Sequence, residues 1–242
     1  MKLLRIILYI GLFGLTTLAQ AQTIIPLERG KGGVRAKNID DYKDEMKMAE
    51  RQRNDSLQYV DHLRRAFNAL HTDSIGQAEL LFNKALKLRP TAPGNHVIKF
   101  NLGLIDMARG QNVEAVKKLT DIIKEYPNYF DARLARAEAN LQLNKANEAV
   151  EDAEQVLDKT DFEVVTPLLI ERARFIRAAA RYQLRLFNDA HADLRVILAD
   201  NPQNTNAQIL DALTLQQLGQ PKEALNQLNL IVSANPQNTD AL

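Results

Sequence analysis

The sequence predicts an all-α protein built as a helix–turn–helix solenoid of about five units. The segment Asn201-Pro202-Gln203-Asn204-Thr205 recurs 34 residues later, at 235–239, and such a period is typical of stacked helical repeats. The composition agrees with this prediction, because the 242 residues include only 10 glycines and 8 prolines and no cysteine. Such a composition suits neither a turn-dense β fold nor a disulfide-linked one.

The composition also excludes several classes of function. A formal net charge of +1 provides no basic field for nucleic acid or anionic lipid. Without cysteine there are no thiolate metal sites or cysteine nucleophiles, and the four histidines are scattered along the chain. No known motif of a hydrolase, dinucleotide-binding protein or zinc protein occurs. We therefore expect no enzyme activity, no catalytic, cofactor-binding or metal-binding residues, and no nucleic-acid partner.

Residues 1–21 have the pattern of a secretory signal peptide. Lys2 and Arg5 are followed by the apolar run 6–18, and Ala19-Gln20-Ala21 has the small-x-small form that signal peptidase accepts. The alternative is a membrane anchor, but the apolar run is shorter than the ~20 residues that a bilayer requires. We expect cleavage after Ala21 and export to a periplasm or cell envelope, as a soluble chain with no membrane span.

Residues 22–39 are predicted to be a flexible leader, because Pro26 and the cluster 30–33 interrupt any periodicity. An N-terminal helix is predicted over 40–58, where Asp40 and Asp41 can cap and charge its start. The stretch from Lys47 to Asp55 is mostly polar, so the early part of this helix should be exposed to solvent.

A ladder of alanines then divides the rest of the chain. Its members are Ala78, Ala115, Ala149, Ala190 and Ala224, with spacings of 37, 34, 41 and 34 residues. The position four residues after each alanine is occupied by Phe82, Leu119, Ala153, Leu194 or Leu228. In four of the five copies, a proline stands twelve residues after the alanine. Small residues allow two helices to approach closely, the larger ones fill the space beside them, and proline ends the second helix.

This ladder resembles the tetratricopeptide repeat, a helix–turn–helix unit of 34 residues. The small residue at family position 8 is Ala66, Gly103, Ala137, Ala178 or Ala212, and Gly110 and Gly219 stand at the turn between the two helices. The resemblance covers 59–242, with approximate repeats 59–95, 96–129, 130–165, 166–204 and 205–242. The usual aromatic residues at positions 4 and 11 are absent. A generic helical bundle is the alternative, but it does not explain the duplicated pentapeptide.

One insertion lies between the third and fourth repeats. Thr166 followed by Pro167 is a helix N-cap with proline at the first helical position. We therefore expect the insertion to extend the first helix of the fourth repeat.

The resemblance implies that the first helices line a concave groove for a protein or peptide partner. Carried over by repeat position, the candidate groove residues are Phe100, Leu104, Met107, Leu134, Glu138, Leu141, Phe175, Tyr182, Ile209 and Leu213. Most are apolar, so an amphipathic helix or an apolar extended segment would suit them. The alternative is that several of them are core residues. A carboxylate-gripping clamp known in some family members is matched only by Asn101.

Two further surfaces leave alternatives open. The basic run Arg172, Arg174, Arg177, Arg181 and Arg185 is either a salt-bridged flank or a site for an acidic segment or phosphate. The last helix carries Leu225, Leu228, Ile231 and Val232. Some of these should remain apolar and exposed, and could dock a partner or a second copy. The N-terminal helix or the tail could instead cover them.

These expectations together indicate a non-catalytic protein-interaction adaptor or scaffold of the cell envelope. The alternative is a structural subunit of an envelope or secretion assembly, held through the ends of the array. The repeat register also predicts the effects of two substitutions. Ala115→Phe should destabilise its unit by overpacking, whereas Asn204→Ala, in a predicted turn, should cost little.

Overall fold

The computed structural model describes residues 39–158 and 165–234, and all regular secondary structure in these ranges is helical. The helices are α1 (Ile39–His71), α2 (Ile75–Leu88), α3 (Asn95–Ala108), α4 (Asn112–Glu125), α5 (Phe130–Gln142), α6 (Ala146–Leu157), α7 (Pro167–Gln183), α8 (Phe187–Asp200), α9 (Thr205–Gln217) and α10 (Pro221–Ala234). The predicted all-α fold of paired helices is confirmed.

The chain divides into two compact units, Met1–Ala108 and Arg109–Leu242. The described part of the first unit contains α1 to α3, and that of the second contains α4 to α10. The boundary falls between α3 and α4, two helices that the sequence register assigns to the same repeat, 96–129.

In the first unit, a single helix runs through residue 58, where the sequence predicts that the N-terminal helix ends and the first repeat follows. The 33 residues of α1 begin with a polar stretch that is exposed at every position from 43 to 54, as the sequence predicts. The later half packs on α2 and α3 through a cluster that includes Leu63, Ala66 and Phe82. The Tyr59 hydroxyl also donates a hydrogen bond to Asn95 Oδ1 at 3.0 Å, which joins α1 to the start of α3.

In the second unit, each helix contacts the next one along the chain, and α7 also contacts α5 and α9. Helices α5, α7 and α9 are the first helices of successive repeats, so these three repeats are stacked on one another. The alanines of the ladder are buried in this unit: Ala115, Ala149 and Ala190 are completely buried, and Ala224 is 5% exposed. Ala78, in the first unit, is also completely buried. This burial agrees with the role expected of small residues in the ladder.

The turn inside each helical pair contains one left-handed residue. The residue seven positions after the small residue at position 8 has positive φ in all five pairs: Asp73 (57°), Gly110 (75°), Asn144 (57°), Arg185 (61°) and Gly219 (77°). In the third repeat, Lys145 N–H donates to Asn140 O at 2.9 Å and Asn144 N–H to Leu141 O at 3.1 Å. This pair of bonds is the Schellman motif that ends a helix at a left-handed residue.

The fourth repeat begins as the sequence predicts. Thr166 is the N-cap of α7, its hydroxyl accepts a hydrogen bond from Leu169 N–H at 3.3 Å, and Pro167 is the first helical residue. The helix is 17 residues long, against 13 for α5 and α9. The expected extension of this helix is therefore confirmed, whereas residues 159–164 of the insertion lie outside the described ranges.

Several predictions fall on parts of the chain that the structure does not describe. They are the signal peptide 1–21, the leader over 22–38 and the second copy of the pentapeptide at 235–239. Among the helices that are described, none combines the length and the apolar character that a membrane span requires. Within the same ranges, no group of three or more histidine, aspartate or glutamate side chains is arranged to hold a metal ion.

Candidate protein-binding surface

The ten candidate groove residues do not share one environment. Phe100, Leu104 and Leu134 are 1%, 8% and 0% exposed, so they are core residues that no partner can contact in this conformation. For these three, the interpretation as core is the correct one. They are buried because a large apolar side chain on a first helix is also available to pack against neighbouring helices.

The other apolar candidates remain partly accessible. Leu213 is 39% exposed, and the remaining members of this group are half-buried: Met107, Leu141, Phe175, Tyr182 and Ile209. Phe175 packs at the edge of a buried cluster that includes Ala178 and Ala207. The Tyr182 ring stands edge-on to Phe187, with the ring centroids 5.5 Å apart. These contacts hold the two aromatic side chains in place without covering them.

Glu138, the one charged candidate, forms an ion pair with an arginine of the neighbouring repeat. It accepts two hydrogen bonds from the guanidinium of Arg172, at 2.8 Å to Nε and 3.0 Å to Nη2. Asp131 lies 3.7 Å from Arg172 Nη1. Burial raises the pKa of Asp131 although the nearby Arg172 opposes the shift. Burial likewise raises the pKa of Tyr129 well above its usual range, helped by the charge of Asp131.

Most of the basic run is also paired internally. The guanidinium of Arg177 donates two hydrogen bonds to Asp193, at 2.9 Å and 2.6 Å. Arg181 donates to the same carboxylate at 2.8 Å and lies 3.6 Å from Glu154. With Arg172 already paired, three of the five arginines form a salt-bridged flank. Arg174 and Arg185 form no ion pair with any residue that the structure describes.

Two of these contacts repeat with the register of the array. Arg136 pairs with Asp152 at 2.8 Å and 2.6 Å, and Arg177 pairs with Asp193 in the same way; both pairs are 16 residues apart. In the fifth repeat the equivalent positions hold Asp211 and Gln227, whose side chains lie 3.4 Å apart. Asp211 also bonds His191 Nδ1 at 2.6 Å. This pattern is visible in the sequence when equivalent positions of the repeats are compared, but it is not visible when each helix is inspected alone.

The second unit therefore leaves uncharged, partly accessible side chains on two first helices that contact each other, α7 and α9. We call this surface the neutral strip; it consists of Phe175, Ala179, Tyr182, Ile209 and Leu213. Within each helix its members are spaced by three or four residues, and so they share one face. Four of the five are among the candidate groove residues named from the sequence, and Ala179 stands at the same repeat position as Leu213.

The last described helix carries a second apolar surface. Leu225 is 58% exposed, whereas Ile231 is 4% exposed. Leu228 packs at the edge of the cluster formed by Ala212, Leu215 and Ala224, and Val232 is half-buried. Val150 occupies in the third repeat the position that Leu225 has in the fifth, and it packs against a cluster that contains residues of α7. Leu225 thus lies where an earlier repeat contacts its neighbour.

Residues 100–163 match the family model of the tetratricopeptide repeat. No curated protein matches the chain at a significant level. Several solved structures have the same fold. A tetratricopeptide repeat protein from Parabacteroides merdae is 20% identical with a TM-score of 0.62, and the alignment covers 75% of this chain and 68% of that one.

Two further structures are similar at lower identity. MamA from Desulfovibrio magneticus is 12% identical with a TM-score of 0.61, over 75% of this chain and 98% of that one. YrrB, described as having an unusual peptide-binding site, is 14% identical with a TM-score of 0.55, over 74% of this chain and 88% of that one. At these identities the likeness establishes the fold and nothing finer.

Proposed function

We propose that this chain is a non-catalytic adaptor of the cell envelope, because residues 100–163 match the tetratricopeptide repeat and the chain has the fold of solved tetratricopeptide repeat proteins. In this proposal the second unit binds a segment of a partner protein across α7 and α9. The observation that carries the proposal is the neutral strip, where Leu213 on α9 remains 39% exposed and two aromatic side chains on α7 are held in place. Peptide binding by the similarly folded YrrB is consistent with it.

Site-specific photo-crosslinking in the native host would test the binding surface. A photoreactive amino acid at Leu213 should give a defined crosslinked product with a partner. The same amino acid at Val196, which is 41% exposed on α8, is the matched control and should give none. Equal crosslinking at the two positions, or crosslinking at neither, would contradict binding at the strip.

A structural subunit held through the end of the array is the second candidate, and the exposure of Leu225 favours it. Here the partner, or a second copy of this chain, would cover the apolar surface of α10. Crosslinking at Leu225 without crosslinking at Leu213 would favour this candidate. Light scattering distinguishes a different partner from a second copy of this chain. If a second copy binds, the measured molar mass should rise with the protein concentration, and Val232→Glu should abolish that rise.

The envelope location is also a proposal, and it rests on residues 1–21. N-terminal sequencing of the protein from a fractionated host should begin at Gln22 and should find it in the exported fraction. Recovery of Met1 in an integral membrane fraction would contradict both cleavage and export.

A further inference from the structure

The neutral strip is uncharged over its whole extent and on its borders along α9. Asp211 is the one charged residue among the thirteen of α9, and its side chain is buried against His191 and Gln227. On α7, Arg177 and Arg181 are engaged by Asp193, and Arg172 is engaged by Glu138. Arg174 and Arg185 are unpaired among the described residues but do not belong to the strip. A charged side chain placed against Ile209 or Leu213 would therefore lose water without gaining a counter-ion there, which is costly.

A row of amide side chains accompanies the strip. Gln142, Gln183 and Gln217 occupy the same position in three consecutive repeats, and all three are exposed. Gln183 donates a hydrogen bond to Leu141 O at 3.2 Å, which leaves its carbonyl oxygen available. Gln216, beside Gln217, is exposed as well. An amide can both donate and accept hydrogen bonds, as the N–H and C=O groups of a peptide backbone require.

On the basis of the proposed function, we propose that the partner segment that binds the neutral strip is an extended, uncharged peptide. Its apolar side chains lie against Phe175, Tyr182 and Leu213, and its backbone is hydrogen-bonded by Gln183 and Gln217. An amphipathic helix is the less suitable occupant, because its backbone groups are already bonded within the helix and gain nothing from a row of amides. An extended segment brings unpaired backbone groups to the surface at each residue.

Selection of random linear peptides displayed on phage, with the immobilised full chain as target, would test this inference. The selected peptides should lack charged residues in their common core and should place apolar residues two apart. Leu213→Lys should weaken their binding about tenfold or more, because the charge disfavours apolar contact. Val196→Lys, at a comparably exposed site of α8 outside the strip, should change the affinity less than about twofold. Circular dichroism should show that both variants remain folded.

A second pair of variants separates an extended peptide from a helical one. Gln183→Leu and Gln217→Leu keep a similar side-chain volume but remove the amides. Both should weaken an extended peptide, whose backbone would lose its hydrogen bonds, and both should leave a helical peptide unchanged or bound more tightly. Gln220→Leu, in the turn before α10, is the matched exposed control.

The possible results distinguish this inference from the function on which it rests. Peptides that are charged or helical but remain sensitive to Leu213→Lys would overturn the inference and leave the proposed function standing. Failure to select any peptide, or equal binding to Leu213→Lys and the wild type, would overturn the inference. If crosslinking at Leu213 also failed, the proposed function would be overturned with it.

Discussion

Arg185 has a backbone conformation that ordinarily suits glycine. Its φ of 61° matches those of Gly110 and Gly219 at the equivalent turns, where a left-handed residue ends the first helix. Asparagine and aspartate tolerate this conformation better than other side chains do, which accounts for Asn144 and Asp73. Arg185 has neither advantage, and its exposed side chain forms no ion pair with the described residues that would compensate for the strain.

Arg185→Gly should therefore stabilise the protein by about 0.5–1 kcal/mol, since relief of strain outweighs the added flexibility of the unfolded chain. Gly219→Ala should destabilise it by about 1 kcal/mol for the converse reason. Chemical denaturation measures both changes. Asn144→Gly is the control and should have little effect. A denaturation midpoint for Arg185→Gly at or below that of the wild type would contradict this account.

Asn204 is a residue for which the sequence-based expectation is wrong. Its side chain caps α9 by accepting a hydrogen bond from Ala207 N–H at 3.0 Å, and it donates one to Glu171 Oε1 at 2.7 Å. The turn is therefore not a neutral site, and Asn204→Ala should cost about 1–2 kcal/mol. Denaturation should show this loss, whereas Gln203→Ala, at an exposed neighbour, should unfold like the wild type.

Ala115→Phe keeps its predicted effect and now has a structural reason. Ala115 is completely buried, so no space exists for the ring, and the cost should be about 1–3 kcal/mol or more. Val113→Phe, at a residue of the same helix that is 63% exposed, is the control. If both variants had the denaturation midpoint of the wild type, the packing of α4 would differ from the one described.

Between elements, the contact of α5 with α7 combines two carboxylates with one arginine. Glu138 forms the close bidentate pair with Arg172, while Asp131 lies farther away and its pKa is raised by burial. An acid whose pKa is higher in the folded state than in the unfolded state stabilises the fold when protonated. That contribution is present below the unfolded-state pKa and is lost as the pH rises through the folded-state pKa.

Asp131→Asn should thus be more stable than the wild type at neutral pH, and the advantage should vanish as the pH falls below about 4. Glu138→Gln should instead lose about 1.5–3 kcal/mol at neutral pH, because it weakens the hydrogen bonds of a half-buried guanidinium. Denaturation across a pH series measures both. A destabilised Asp131→Asn would show that the attraction of Asp131 to Arg172 outweighs its burial.

The helices and their pairing could be predicted from the sequence because the signals are local. The alanine ladder, the proline stops and the cap at Thr166 each act within one helical pair. The environment of Phe100 or Leu134 could not be predicted, since a large apolar residue on a first helix suits a core and a binding surface equally well. Equally, the pairing of Arg172 with Glu138 joins residues 34 positions apart and depends on how two repeats stack.

For the molecule as a whole, stacking implies that stability is distributed over the contacts between neighbouring repeats. The fifth repeat, α9 with α10, is joined to the fourth through Ala207, which is completely buried beside Leu194 and Ile197, and through the bond between His191 and Asp211. Disrupting this one contact should therefore affect the fifth repeat before the others.

Ala207→Glu should place a charge in that contact and increase hydrogen exchange in α9 and α10, while α5 and α6 keep their protection. Hydrogen exchange followed by mass spectrometry gives this resolution. Leu225→Gln, at an exposed site of the same repeat, should exchange like the wild type. Equal loss of protection from α4 to α10 would show that the second unit unfolds as a single block.

The five left-handed turns also have a consequence for the speed of folding. In the four turns at Asp73, Asn144, Arg185 and Gly219, backbone hydrogen bonds close within five residues, and the Arg–Asp pairs inside two of the repeats span only 16. Contacts so close in sequence give a low contact order, which is associated with folding in microseconds to milliseconds. Each helical pair can act as a nucleus, and its neighbours can then add to it in either direction along the chain.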